Sequence, residues 1–148
     1  MPETVFTPTD IRHPDFTHVE TWVFDLDNTL YPAHHNLFAQ IDDRMGAFIA
    51  RELGVDRVEA RRIQKKFYVE HGTTLAGLMA VHGMKPEPFL DFVHDIDVKM
   101  IPPSPELDAQ LARLPGRKLI FTNGSKRHAE NVAARLGVLD RFDGIVDI

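Results

Sequence analysis

The sequence predicts an α/β fold: a parallel-sheet core with an inserted all-helical cap. Two observations carry that prediction. Two short, bulky, apolar runs, Trp22-Val23-Phe24 and Leu119-Ile120-Phe121, each pass directly into polar residues. Buried strands of a parallel sheet read this way, with ligands bound beyond their carboxyl ends. Between the two runs, residues 37–97 repeat apolar side chains at helical spacing, broken only by short turns.

The elements follow in order. Residues 1–18 contain three prolines with several Thr, Asp and His, and read as an extended or frayed lead-in. Residues 19–24 form the first strand. Residues 28–36 form a loop, because Tyr31-Pro32 forbids a helix there. Leu37, Ile41, Met45, Phe48, Ile49 and Leu53 mark a helix that Gly54 stops. Asp56 opens the next helix, with Glu59 placed as in a capping box and Val58, Ile63 and Phe67 as its apolar stripe. After His71-Gly72-Thr73-Thr74, Leu75, Leu78, Met79 and His82 resume the pattern as far as Gly83. Pro86 then starts a helix carrying Phe89, Leu90, Phe92 and Val93.

The Pro-rich stretch 100–105 is the return linker, and Ser104-Pro105-Glu106 is a helix start. That helix buries Leu107, Leu111 and Leu114 and ends at Pro115-Gly116. The second strand, residues 118–122, runs into Asn123-Gly124-Ser125. A helix follows with Ala129, Val132, Ala133 and Leu136 inward, and residues 142–148 begin a third strand. The organisation is thus a lead-in over 1–18, a core over 19–36 and 98–148, and a helical cap over 37–97.

Composition bounds the function. With 148 residues, 43% of them hydrophobic, the chain can build an ordinary core. A net charge of −5 disfavours a nucleic acid polymer as partner. There is no cysteine, hence neither a disulfide nor a thiolate metal site, and no basic-then-apolar leader; both suit a cytoplasmic location. No apolar run approaches the roughly 20 residues that span a bilayer, so no membrane partner is expected.

The chemistry concentrates at the strand ends. Asp25 and Asp27 leave the first strand with Leu26 between them, so both carboxylates reach one small volume. A lone Asp at a strand end commonly just starts a turn, but here the full context is Trp22-Val23-Phe24-Asp25-Leu26-Asp27-Asn28-Thr29-Leu30. An aspartate attacking a phosphate needs a cation beside it. A second aspartate can serve as acid and then as base. Mg²⁺ favours few protein carboxylates, several waters and a phosphate oxygen. At the second strand end, the Thr122 hydroxyl and the Asn123 and Gly124 N–H groups would face an anion near a helix N-terminus, or else form a plain strand-to-helix turn. Thr73 and Thr74 are candidates for substrate contact, or for capping the helix that follows. The run Arg61, Arg62, Lys65, Lys66 attracts an anion or is a solvated face. His34 and His35 read as loop histidines rather than as a zinc site.

Asp25-Leu26-Asp27-Asn28-Thr29-Leu30 resembles the first signature of the haloacid dehalogenase superfamily, in its phosphatase branch. The continuation Thr29-Leu30-Tyr31-Pro32 and the later Gly72-Thr73-Thr74-Leu75-Ala76-Gly77-Leu78 are similar to the pyrimidine 5'-nucleotidase-like subgroup. The resemblance implies a Rossmann-like core and Mg²⁺ held by the Asp25 carboxylate and the Asp27 backbone carbonyl. It further implies phosphoryl transfer from a small phosphorylated metabolite to Asp25, Asp27 as acid then base, and Thr122 as a phosphate-oxygen donor. The superfamily's later Lys and acidic strand end find no counterpart: no Lys follows Lys126, and Asp147 at the end of the third strand lacks the paired carboxylate. The expectation is therefore a chain truncated at its C-terminus, with its first strand on an open edge that invites self-association. A catalytically incomplete fragment or binding module is the alternative function. Carbon–halogen hydrolysis is disfavoured by Asp27, and phosphomutase chemistry shares the Asp pair.

Overall fold

The computed structural model describes residues 14–148, so most of the lead-in reading falls outside the described residues. Strands β1 (Thr21–Phe24), β2 (Arg117–Phe121) and β3 (Gly144–Val146) form one parallel sheet in the order β1-β2-β3. Five α-helices lie between β1 and β2 in the chain, and the first four form the helical block: α1 (Leu37–Leu53), α2 (Arg57–His71), α3 (Thr74–His82) and α4 (Pro86–Val93). Helix α5 (Pro105–Arg113) precedes β2, and α6 (Lys126–Leu136) links β2 to β3. The α/β class and parallel pairing are those read from the sequence.

Two hydrophobic cores result. One packs Leu26, Leu30, Tyr31, Leu37, Leu111 and Ile120 with Ala129, Val132, Ala133 and Leu136 of α6. The other lies among α1–α4 and contains Ile41, Phe48, Ile49, Phe67, Leu78, Phe89 and Val93. All four inward positions expected for α6 are buried.

Local differences from the sequence reading have simple causes. Asp56 does cap α2, accepting from the Glu59 N–H at 2.8 Å. The Glu59 carboxylate, however, turns outward to Arg62, so only half of a capping box forms. Val58 is exposed instead of buried, because the inner face of α2 is Ala60, Gln64 and Phe67. Met79 and His82 likewise lie on the outer side of α3, which is too short to bury more than one face. Among the described residues, no helix is long and apolar enough to cross a membrane.

Candidate active site

The register Phe24↔Ile120 brings the carboxyl ends of β1 and β2 side by side. Asp25 follows β1 directly, and Thr122 follows β2. Beyond Asp25 the chain turns back on itself. The Leu26 carbonyl accepts from the Thr29 and Leu30 N–H groups, and Asn28 adopts a left-handed φ of 58°. This turn drives Leu26 into the core at 0% exposure and leaves its two aspartate neighbours on the other side. Asp25, Asp27, Thr122, Asn123 and Gly124 line one cavity of about 600 Å³, together with Thr73, Thr74 and Lys65 from the helical block.

Asp25 is exposed into this space, with Oδ2 accepting from the Thr29 hydroxyl at 3.0 Å. Asp27 is more enclosed. Its Oδ1 accepts from the Tyr31 hydroxyl at 2.6 Å and meets His128 Nε2 at 2.9 Å. Burial pushes the Asp27 pKa up, but the hydrogen bond and charge of His128 and the Tyr31 hydroxyl outweigh it, and the net direction is down. Burial, followed by the neighbouring Asp27 charge, holds the Tyr31 phenol far above its usual range, so it remains a donor.

His128 stands in the first turn of α6, capped by Ser125, whose Oγ accepts from the His128 N–H at 3.2 Å. The same Oγ bonds His94 Nδ1 at 3.0 Å. His94 ends α4 and stacks flat on His128, centroids 4.2 Å apart and planes within 9°. Burial, and then the charge of His128, push the His94 pKa down to about 4, so His94 is neutral at pH 7. Gly124 makes room for the stack: a Cβ there would lie 3.3 Å from both rings.

Several sequence expectations change in detail. Thr122 is buried, and its Oγ1 accepts from the Gly124 N–H at 3.0 Å. That N–H is therefore committed to the turn rather than free for a phosphate. Asn123 is exposed on the cavity wall. Thr73 caps α3 through the Ala76 N–H, and the buried Thr74 hydroxyl donates to the Gln64 carbonyl, so both hydroxyls serve the helix while their residues line the cavity. Arg61 and Arg62 pair with Asp42 and Glu59 on the outer surface. The sequence names Tyr31 only as a helix breaker and part of a family signature and Ser125 only as part of the strand-to-helix turn, and it assigns neither them nor His94 and His128 to the site. Two signals are available: Tyr31 lies four residues after Asp27, and His128 three after a capping Ser.

A haloacid dehalogenase-like hydrolase family model matches residues 19–148. The chain belongs to that family. It is 30% identical over 138 residues to Phosphate metabolism protein 8 of Saccharomyces cerevisiae, an alignment covering 85% of this chain and 42% of that protein. The chain thus spans less than half the length of that relative. Two solved structures of L-2-haloacid dehalogenase from Xanthobacter autotrophicus are also similar. The one with chloropropionic acid covalently bound is 17% identical with a TM-score of 0.42, and the other is 19% identical with a TM-score of 0.43. Each covers 87% of this chain and 56% of its own.

Proposed function

We propose that this member of the hydrolase family is a Mg²⁺-dependent phosphomonoester hydrolase that works through an aspartyl phosphate on Asp25. Its substrates are nucleoside monophosphates, in the manner of the pyrimidine 5'-nucleotidase-like subgroup. The observation that carries this reading is the meeting of Asp25, Asp27 and Thr122 at neighbouring strand ends over one cavity. Phe38, Tyr68 and Phe89 on the cavity wall suit a planar, partly apolar leaving group, and Lys65 supplies positive charge. The helical block is then the cap that encloses the leaving group and excludes water.

Asp25 attacks phosphorus, and the P–O bond to the leaving group breaks as Asp27 gives that oxygen a proton. Asp27 then takes a proton from the water that attacks the aspartyl phosphate, releasing inorganic phosphate and restoring Asp25. The depressed pKa keeps Asp27 ionised, the form in which it can take a proton in the base half of this cycle. A phosphate dianion beside it raises that pKa by like-charge repulsion and so favours the acid half. The Thr122 hydroxyl accepts from Gly124 and keeps its own proton to donate to a phosphate oxygen.

The donor set suits Mg²⁺. Asp25 is exposed into the cavity, its Oδ1 has no hydrogen-bond partner among the described residues, and a hard cation prefers such carboxylate oxygen. The Asp25 carboxylate and the Asp27 backbone carbonyl would hold it. When bound, Mg²⁺ offsets negative charge on the transferring phosphoryl group.

The test is phosphate release with Mg²⁺ or with EDTA from a panel of UMP, CMP, glucose 6-phosphate, glycerol 2-phosphate and p-nitrophenyl phosphate. Mg²⁺-dependent release is expected, fastest on the nucleotides. Asp25→Asn should lower it by at least ~10³-fold and abolish acid-trapped phosphoenzyme. Equal turnover by wild type and Asp25→Asn would reject the reading.

A further inference from the structure

We infer that His128 and Tyr31 are positioning residues. Their two donors hold Asp27 Oδ1, which leaves Oδ2 as the oxygen that exchanges protons with leaving group and water, and His94 braces His128 in place. The inference rests on the phosphatase reading above.

Three features of the geometry support it. First, both donors converge on one oxygen, at 2.6 and 2.9 Å, and fill its two lone-pair directions. Asp27 Oδ2 has no hydrogen-bond partner among the described residues, while Asp27 lines the cavity with 17% of its side chain exposed. Second, neither donor is free to wander. Tyr31 and His128 are each 1% exposed, the one in the core beneath the strand ends and the other on α6. A carboxylate held by a buried residue of its own turn and by α6 keeps one rotamer, and a misplacement of about 1 Å in such a group costs ~10²-fold in rate. Third, a buried imidazole carries a desolvation cost that an apolar side chain avoids. The Asp27 contact offsets that cost, and the flat stack with His94 closes the other side of the ring. Because His94 ends α4, the brace reaches Asp27 from the helical block, through the space that Gly124 leaves open.

The leaving group is the probe that separates positioning from plain structural support. p-Nitrophenolate departs with little need of a proton, whereas an alkoxide needs one. In the full chain with Mg²⁺, kcat and KM are measured for p-nitrophenyl phosphate and for the fastest alkyl ester of the panel. His128→Leu should lower kcat/KM, which covers only the steps through leaving-group departure and so isolates the acid role of Asp27, by ~100-fold on the alkyl ester and by under ~5-fold on the aryl ester. His128→Gln keeps an N–H near the place of Nε2 and should recover the alkyl rate to within ~5-fold of wild type. Tyr31→Phe removes one hydroxyl and keeps the ring, and should give the same contrast at ~10-fold. It keeps the test open if His128→Leu fails to fold, as thermal melts will tell.

Folded variants that lose kcat/KM equally on both esters, or on neither, overturn the inference and leave the phosphatase reading intact. A wild type that matches Asp25→Asn on every ester rejects that reading, and the inference with it.

Discussion

Helices α1 to α4 enclose Phe48, Ile49, Leu78 and Phe89, whereas among the described residues the sheet is covered on one face only. Phe24, Ile120 and Ile145 point toward α5 and α6 and join their core. Val23, Phe121 and Val146 point the other way and stay 62%, 50% and 47% exposed. Parallel sheets are ordinarily buried on both faces. The contrast teaches that apolar character has different meanings in the two regions. In the helical block an apolar side chain at helical spacing marks the inside of a closed core. In the sheet, half of the apolar side chains face outward, and only the strand ends meet the cavity.

The largest effect that would break this contrast is a hole in the closed core. Leu78→Ala should cost about 4 kcal/mol, read from urea denaturation, since Leu78 is 0% exposed. Next comes Gly77→Ala. A Cβ there would sit 2.4 Å from Cβ and Cγ of Phe67, where α3 meets α2, and the overpacking should cost about 3 kcal/mol.

A comparable effect tests the junction of the two regions at His94. Its folded pKa is about 4, against an ordinary value of 6.5. Between those pH values the unfolded chain binds a proton that the folded chain does not, so stability is full above pH 6.5 and falls as pH drops toward 4. The loss should be about 3 kcal/mol. His94→Gln should flatten the profile in that window, while Asp27 adds its own loss only below pH 3.8.

The smallest effect on stability belongs to the bare face. Val23→Thr with Phe121→Thr should change stability by less than about 0.5 kcal/mol each, and gel filtration of wild type and double variant over a range of concentrations tests whether this face pairs copies of the chain. A melting point that fell as far as for Leu78→Ala would mean that this face is packed like the helical core.

How much of this was legible in the sequence follows from range. Alternation and helical spacing are local, so the six helices and the two strand ends carrying Asp25 and Thr122 could be read directly. Val58 was misjudged because an apolar residue two places from the buried stripe looks the same in a linear pattern. The partners of Asp27 were harder. Tyr31 looked like a helix breaker beside Pro32, and His128 reaches Asp27 across 101 positions. No local pattern announces that contact. It exists because β1 and β2 pair, because α6 begins with a capping Ser125, and because Gly124 has no side chain. The Gly124 N–H was misread for the opposite reason: its partner, Thr122, is only two residues away and competes with any ligand.

The Trp22 indole donates to the Pro115 carbonyl at 2.8 Å, across 93 positions of chain. During synthesis at 5–20 residues per second, β1 therefore leaves the ribosome about 5 to 20 s before its neighbour exists. The α1–α4 helices, built from short-range contacts, can assemble in that interval and shorten the loop that the sheet must close. Val23 and Phe24 spend the same interval as an unpaired apolar strand, the form in which a nascent chain is most open to misassembly.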